Sequence, residues 1–186
     1  MFSPFILALA AAVVNYFFTK TSVNLTGLLT AKEFPNFNLL TFFMYNLLFF
    51  GYGEEVGWRG FALPRLQKKV NALKASVVLT VFWGLWHLPL FFYRQGYTSM
   101  DMAGAVGWFL SLQTGSILLT WLFNSTKGSI LICAVFHSTI DIAFTAGIAD
   151  KNIVNYMGAL ITTWGILTII LFNPKNLAIL KSVKYY

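Results

Sequence analysis

Six apolar stretches, at roughly 4–20, 38–62, 73–93, 102–123, 129–149 and 153–173, fill almost the whole chain and are separated by short polar connections. A helix that crosses a bilayer needs about 20 residues at 1.5 Å rise each. Within the hydrocarbon only a helix or a closed barrel satisfies its own backbone. Runs of this length predict an all-α polytopic membrane protein of about six transmembrane helices in one bundle, with residues 1–186 forming a single membrane domain. The last four runs meet the length requirement directly. The first is short, and either tilts or extends into the polar 19–26 region. The second is interrupted by Glu54, Glu55 and Arg59. Only 10% of residues are charged, against roughly 25% in soluble domains.

The net charge of +7 raises the question of nucleic acid. The basic residues lie in the short connections between apolar runs, where orientation signals belong, so no nucleic-acid partner is assigned; the lipid bilayer is the partner. With six spans, one side carries Arg65, Lys68, Lys69, Lys74, Lys127, Lys175, Lys181 and Lys184. The other carries Lys20, Lys32, Arg94 and Lys151. That asymmetry predicts both termini in the cytoplasm. No Lys or Arg precedes the first run, so it reads as a membrane span and not as a signal peptide. The single cysteine, Cys133, excludes an internal disulfide and a CxxC metal site.

Ionisable residues inside apolar runs cost roughly 2.5–3.5 kcal/mol each on the insertion scale and mark functional sites. This chain has three such groups. In Glu54-Glu55-Val56-Gly57-Trp58-Arg59, Glu55 and Arg59 share a helix face and form an ion pair in the favourable order. Glu54 points about 100° away, off the face of that pair, and a carboxylate desolvated there suits a general base. An interfacial helix end with solvated charges is the plain alternative. Gly53 and Gly57 are spaced to let a neighbouring helix approach Glu54.

The second group is His87 in Trp83-Gly84-Leu85-Trp86-His87-Leu88-Pro89. Pro89 should bend the helix just beyond it and free a carbonyl near position 85. A hydrogen-bonded core histidine is the competing reading. The third is His137 with Asp141 one turn later. There Asp141 can accept a hydrogen bond from the ring and fix its tautomer. Counted from the basic side at 1.5 Å per residue, Glu54 lies roughly 16 Å deep, His87 roughly 20 Å, His137 roughly 15 Å and Asp141 roughly 21 Å. The expectation is one shared site.

These motifs, in this order, resemble the CPBP family. It comprises type II CAAX prenyl proteases and bacteriocin-processing or immunity proteins, and is also called the abortive-infection family. The resemblance covers about residues 45–145. It implies an intramembrane glutamate-dependent endopeptidase cutting a peptide bond near the cytoplasmic face, without cofactor or metal. Its substrate would be a peptide or membrane protein, prenylated or not. Carried over by motif, Glu54 resembles the base that activates water, His87 the residue that holds it, and His137 with Asp141 the oxyanion pair. Glu55 and Arg59 are the supporting positions. Two positions depart from the prenyl proteases: Trp83 stands where Phe is frequent, and Asp141 where they have Asn. An ionised Asp cannot donate to an oxyanion, so Asp141 either carries a proton or only orients His137. The chain is also short for a complete prenyl protease, which leaves open whether N-terminal spans are missing. Two other readings stay open: a non-catalytic immunity or scaffold protein, and a zinc metalloprotease. The chain has no H-E-x-x-H on one helix face to favour the latter.

Overall fold

The computed structural model describes residues 3–32 and 34–179. Lys181 and Lys184 of the basic tail lie outside the described residues. Each apolar run is helical. α1 spans Ser3–Thr19. A continuous helical segment then runs through α2 (Leu39–Tyr45), a π stretch (Asn46–Tyr52), α3 (Gly53–Glu55), a second π stretch (Val56–Ala62) and α4 (Leu63–Gln67). α5 (Ala72–His87) passes into a 3₁₀ turn, Leu88–Phe92. α6 is the short Gln95–Thr98, followed by α7 (Met102–Ser125), α8 (Ile130–Thr145) and α9 (Lys151–Leu171).

Three helices, at Ala72–Phe92, Met102–Ser125 and Lys151–Leu171, are long and apolar enough to cross a membrane; Pro4–Thr19 and Ile130–Thr145 are shorter apolar helices. Phe82, Leu85 and Trp86 are exposed on α5, as is Ile170 on α9, which suits lipid contact and not water. The chain is an all-α polytopic membrane protein. It divides into two compact units, one of Met1–Gly57 with Ser129–Leu160, the other of Trp58–Gly128 with Ile161–Tyr186.

In the first unit, Ala8, Ala11 and Ala12 of α1 pack with Ala143 of α8 and with Ile153 and Met157 of α9. Small side chains let helix backbones approach where lipid supplies no hydrophobic drive. The loop before α2 is tied to the end of α8: the Lys32 amide donates to the Thr145 carbonyl at 3.2 Å and the Gly147 amide to Thr30 at 2.8 Å. The Lys32 ammonium donates to the Ala149 carbonyl. Asn38 starts α2 by accepting from the Thr41 amide at 2.9 Å.

The close approach of the glutamate segment to α8 is at Gly51, and not at the Gly53 and Gly57 pair that the sequence pattern suggests. A Cβ on Gly51 would overlap the Ser138 hydroxyl and the Ala134 carbonyl of α8. A Cβ on Gly57 would meet nothing within 4 Å, and one on Gly53 only the carbonyl of Leu48 in its own segment. The π stretches explain the shift. Their i→i+5 bonding changes the helical phase, so a spacing counted at 3.6 residues per turn no longer tells which glycine faces α8.

The second unit is joined by polar side chains. On α7, Ser116, Thr120 and Asn124 recur every fourth residue and are all buried. The Thr120 and Ser76 hydroxyls lie 2.8 Å apart across α7 and α5. Asn124 donates to Gln67 at 2.9 Å and to the Asn176 carbonyl at 2.6 Å. The orphan amides at the start of α5 are met by the chain after α9: Ala72 donates to Lys175 at 3.0 Å and Leu73 to Pro174 at 3.1 Å. Gly165 packs against Thr114, where an added Cβ would sit 2.5 Å from that side chain. Where a bend was expected at Pro89, α5 tightens into the 3₁₀ turn, and the carbonyl expected to be freed does not stay free. The Leu88 amide donates to Leu85 in the 3₁₀ turn.

Gly51→Ala should therefore cost about 1–3 kcal/mol through overpacking, whereas Gly57→Ala should be neutral or mildly stabilising. Unfolding midpoints in detergent check this; equal effects would contradict the Gly51–α8 contact.

Candidate active site

Glu55 follows Gly51 by one turn, on the face that α8 approaches, and is fully buried. A buried carboxylate requires a strong donor. It meets one in α8: His137 Nδ1 donates to Glu55 Oε1 at 2.9 Å. Asp141 Oδ2 stands 3.5 Å from the other ring nitrogen, Nε2, with its side chain 31% exposed. His137 thus has a carboxylate beside each nitrogen. The tighter one comes from the neighbouring segment and not from the same helix. Asp141, which the i,i+4 spacing places beside the ring, stands at Nε2, and Glu55 is the nearer of the two carboxylates. Glu54, adjacent in α3, is half-buried. Of the two glutamates it is the one with accessible surface. Glu55, Glu54, His137 and Asp141 all belong to the first unit.

The other motif residues belong to the second unit. Arg59 is fully buried. Its guanidinium donates to Ser116 Oγ at 3.2 Å and lies over the Trp83 ring, 4.6 Å from the centroid, a cation–π placement. Trp83 in turn accepts the His87 Nδ1 hydrogen at its backbone carbonyl, at 2.8 Å. A carbonyl only accepts, so Nδ1 carries a proton in this bond. Aromatic rings wall His87. Trp83 and Trp108 stand edge-on at 5.7 and 5.8 Å between centroids, and Tyr97 stacks at 6.5 Å.

Sequence reasoning did not find Ser116, Tyr97 or Trp108. The four-residue recurrence of Ser116, Thr120 and Asn124 is a readable polar face within an apolar run and could have marked Ser116. Nothing local marks Tyr97 or Trp108, which reach His87 through the turn after Pro89 and the start of α7.

The distances rank the two carboxylates around His137. Removing Glu55 breaks a buried charge-assisted bond, so Glu55→Ala should cost about 3–5 kcal/mol. Asp141 is partly exposed and farther from its nitrogen, so Asp141→Ala should cost less than about 1 kcal/mol. Denaturation of both variants in one detergent checks the order, and a larger loss for Asp141→Ala would contradict it.

Comparison with known proteins covers the segment that carries these residues. The family described as Type II CAAX prenyl endopeptidase Rce1-like matches residues 36–143. CAAX prenyl protease 2 of Methanococcus maripaludis is 35% identical over 83 residues, 42% of this chain and 31% of that protein. The match thus spans about a third of the length of the curated relative. The matched stretch 36–143 runs from before α2 to the end of the His137–Asp141 turn and holds Glu54, Glu55, Arg59, His87, His137 and Asp141. The chain belongs to the Rce1-like type II CAAX prenyl endopeptidase family.

Proposed function

We propose that this protein is an intramembrane endopeptidase in which Glu54 activates the attacking water. The observation that carries the reading is the division of labour between adjacent glutamates. Glu55 is sealed from solvent on His137 Nδ1, while Glu54 keeps exposed surface. A general base has to reach a water, and that requirement selects Glu54.

In this mechanism Glu54 takes a proton from water and the resulting hydroxide attacks the carbonyl carbon of the scissile peptide bond. The carbonyl oxygen becomes an oxyanion. Collapse of the tetrahedral intermediate breaks the C–N bond, and Glu54 returns the proton to the leaving amine. His137, fixed through Nδ1 by Glu55 and carrying a proton on each nitrogen between its two carboxylates, presents Nε2–H to the oxyanion. A donor held in place before reaction is worth about 2.7–4 kcal/mol of barrier. Asp141 sits close enough to accept from Nε2 before substrate arrives and to yield that donor to the oxyanion. His87 is assigned to the water by its motif.

The relative's name supports a substrate of the CAAX type, a prenylated peptide. The bias of basic residues toward one face supports cleavage on the cytoplasmic side with both termini there. The spacing of the histidines and glutamates supports a metal-independent reaction.

The test is cleavage of a prenylated CAAX peptide by the reconstituted protein. Glu54→Gln should lower turnover at least about a hundredfold with an unchanged unfolding midpoint. Full activity in that variant would overturn the assignment. Chelators should leave the rate unaltered; loss of activity that zinc restores would establish a metallopeptidase instead.

A further inference from the structure

The second unit holds a polar crevice that the peptidase reading does not use. It lies where the end of α4, the start of α5, the end of α7 and the chain after α9 converge. It has a volume of about 150 Å³ and is lined by Gln67, Lys68, Asn71, Asn124, Lys175 and Asn176, among others. Its floor is fixed. Asn124, 1% exposed, exchanges hydrogen bonds with Gln67 and holds the Asn176 carbonyl at 2.6 Å. Its wall is fixed by the backbone bonds from Ala72 and Leu73 to Lys175 and Pro174. Lys68 and Lys175, both exposed, stand at its rim.

The charge around this crevice is one-signed. From Arg65 to Lys74 the chain carries Arg65, Lys68, Lys69 and Lys74 and no acid, and Lys127 and Lys175 add to it on the two neighbouring connections. The helices that end here, α5, α7 and α9, are those long enough to span the bilayer, so the crevice lies at a membrane–water interface. Basic residues at span ends serve orientation by charge alone. They do not call for a concave, amide-floored pocket between the lysines. Basic pockets between spans on that face suit the phosphate of an anionic lipid headgroup.

We propose that this crevice is a binding site for the headgroup of an anionic phospholipid, with Lys68 and Lys175 contacting the phosphate and Asn71 and Asn176 offering amide donors. The acyl chains then lie along the exposed apolar side chains of the adjoining spans. The proposal is independent of the peptidase chemistry, because no residue assigned to catalysis lines the crevice.

The experiment reconstitutes the full chain in nanodiscs of mixed phosphatidylglycerol and phosphatidylcholine. It then measures by native mass spectrometry the lipid retained after detergent transfer. Phosphatidylglycerol should be retained in preference. The double variant Lys68→Gln, Lys175→Gln should reduce that retention by about tenfold or more. Lys74→Gln with Lys127→Gln, which removes equal charge from outside the lining, should leave it nearly unchanged. Lys68→Arg with Lys175→Arg should keep it, which separates charge loss from misfolding. Equal losses in the two Gln pairs would reduce the effect to diffuse attraction and overturn the site. So would equal retention of the two lipids. Displacement of the lipid by millimolar inorganic phosphate would show that the crevice reads free phosphate and not a lipid.

Discussion

Burying Glu55 inside an apolar helical segment sets most of the local structure around it. A carboxylate removed from water is tolerated only beside a donor held at hydrogen-bonding distance. His137 is that donor at 2.9 Å, which requires α8 to lie close against the Glu55 segment. Gly51, one turn earlier, permits this because it has no side chain to meet Ala134 and Ser138. One bond thereby fixes the ring of His137, the face of Glu55, and the outward placement of Glu54 beside it. The chemistry proposed for Glu54 follows from what Glu55 must do.

Backbone satisfaction acts as the second constraint. With little water to bond, each irregularity in a span is closed by another hydrogen bond. The glutamate segment bends its phase through two π stretches and stays helical throughout. Pro89 converts α5 into a 3₁₀ turn and does not break it. In the second unit, Ser, Thr and Asn side chains provide interhelical bonds where lipid gives apolar side chains no preference for protein. Arg59 extends this network, bonded to Ser116 and laid on Trp83.

The helical runs and the chemically costly residues were legible in the sequence, since both follow from local polarity. Each of the six apolar stretches became helix. What could not be read was which partner each polar group takes. The i,i+4 spacing of His137 and Asp141 made Asp141 the natural orienting group. A short side chain on the same helix reaches only the far nitrogen, at 3.5 Å. The better acceptor comes from a segment eighty residues earlier, and its facing depends on π stretches that no residue pattern announced. The same phase shift moved the close contact from Gly57 to Gly51. The aromatic wall of His87 was hidden for a similar reason, because Tyr97 and Trp108 come to it through tertiary structure.

The account rests on His137 being held through Nδ1 by Glu55. The chain has only two histidines, so their imidazole resonances can be assigned by single substitution. Nitrogen-15 NMR of the labelled protein in nanodiscs reads the bond directly. A hydrogen-bonded Nδ1–H signal of His137 should vanish in Glu55→Ala and persist in Asp141→Ala. Its survival without Glu55, or its loss on removing Asp141 alone, would contradict the arrangement from which the roles of both glutamates were derived.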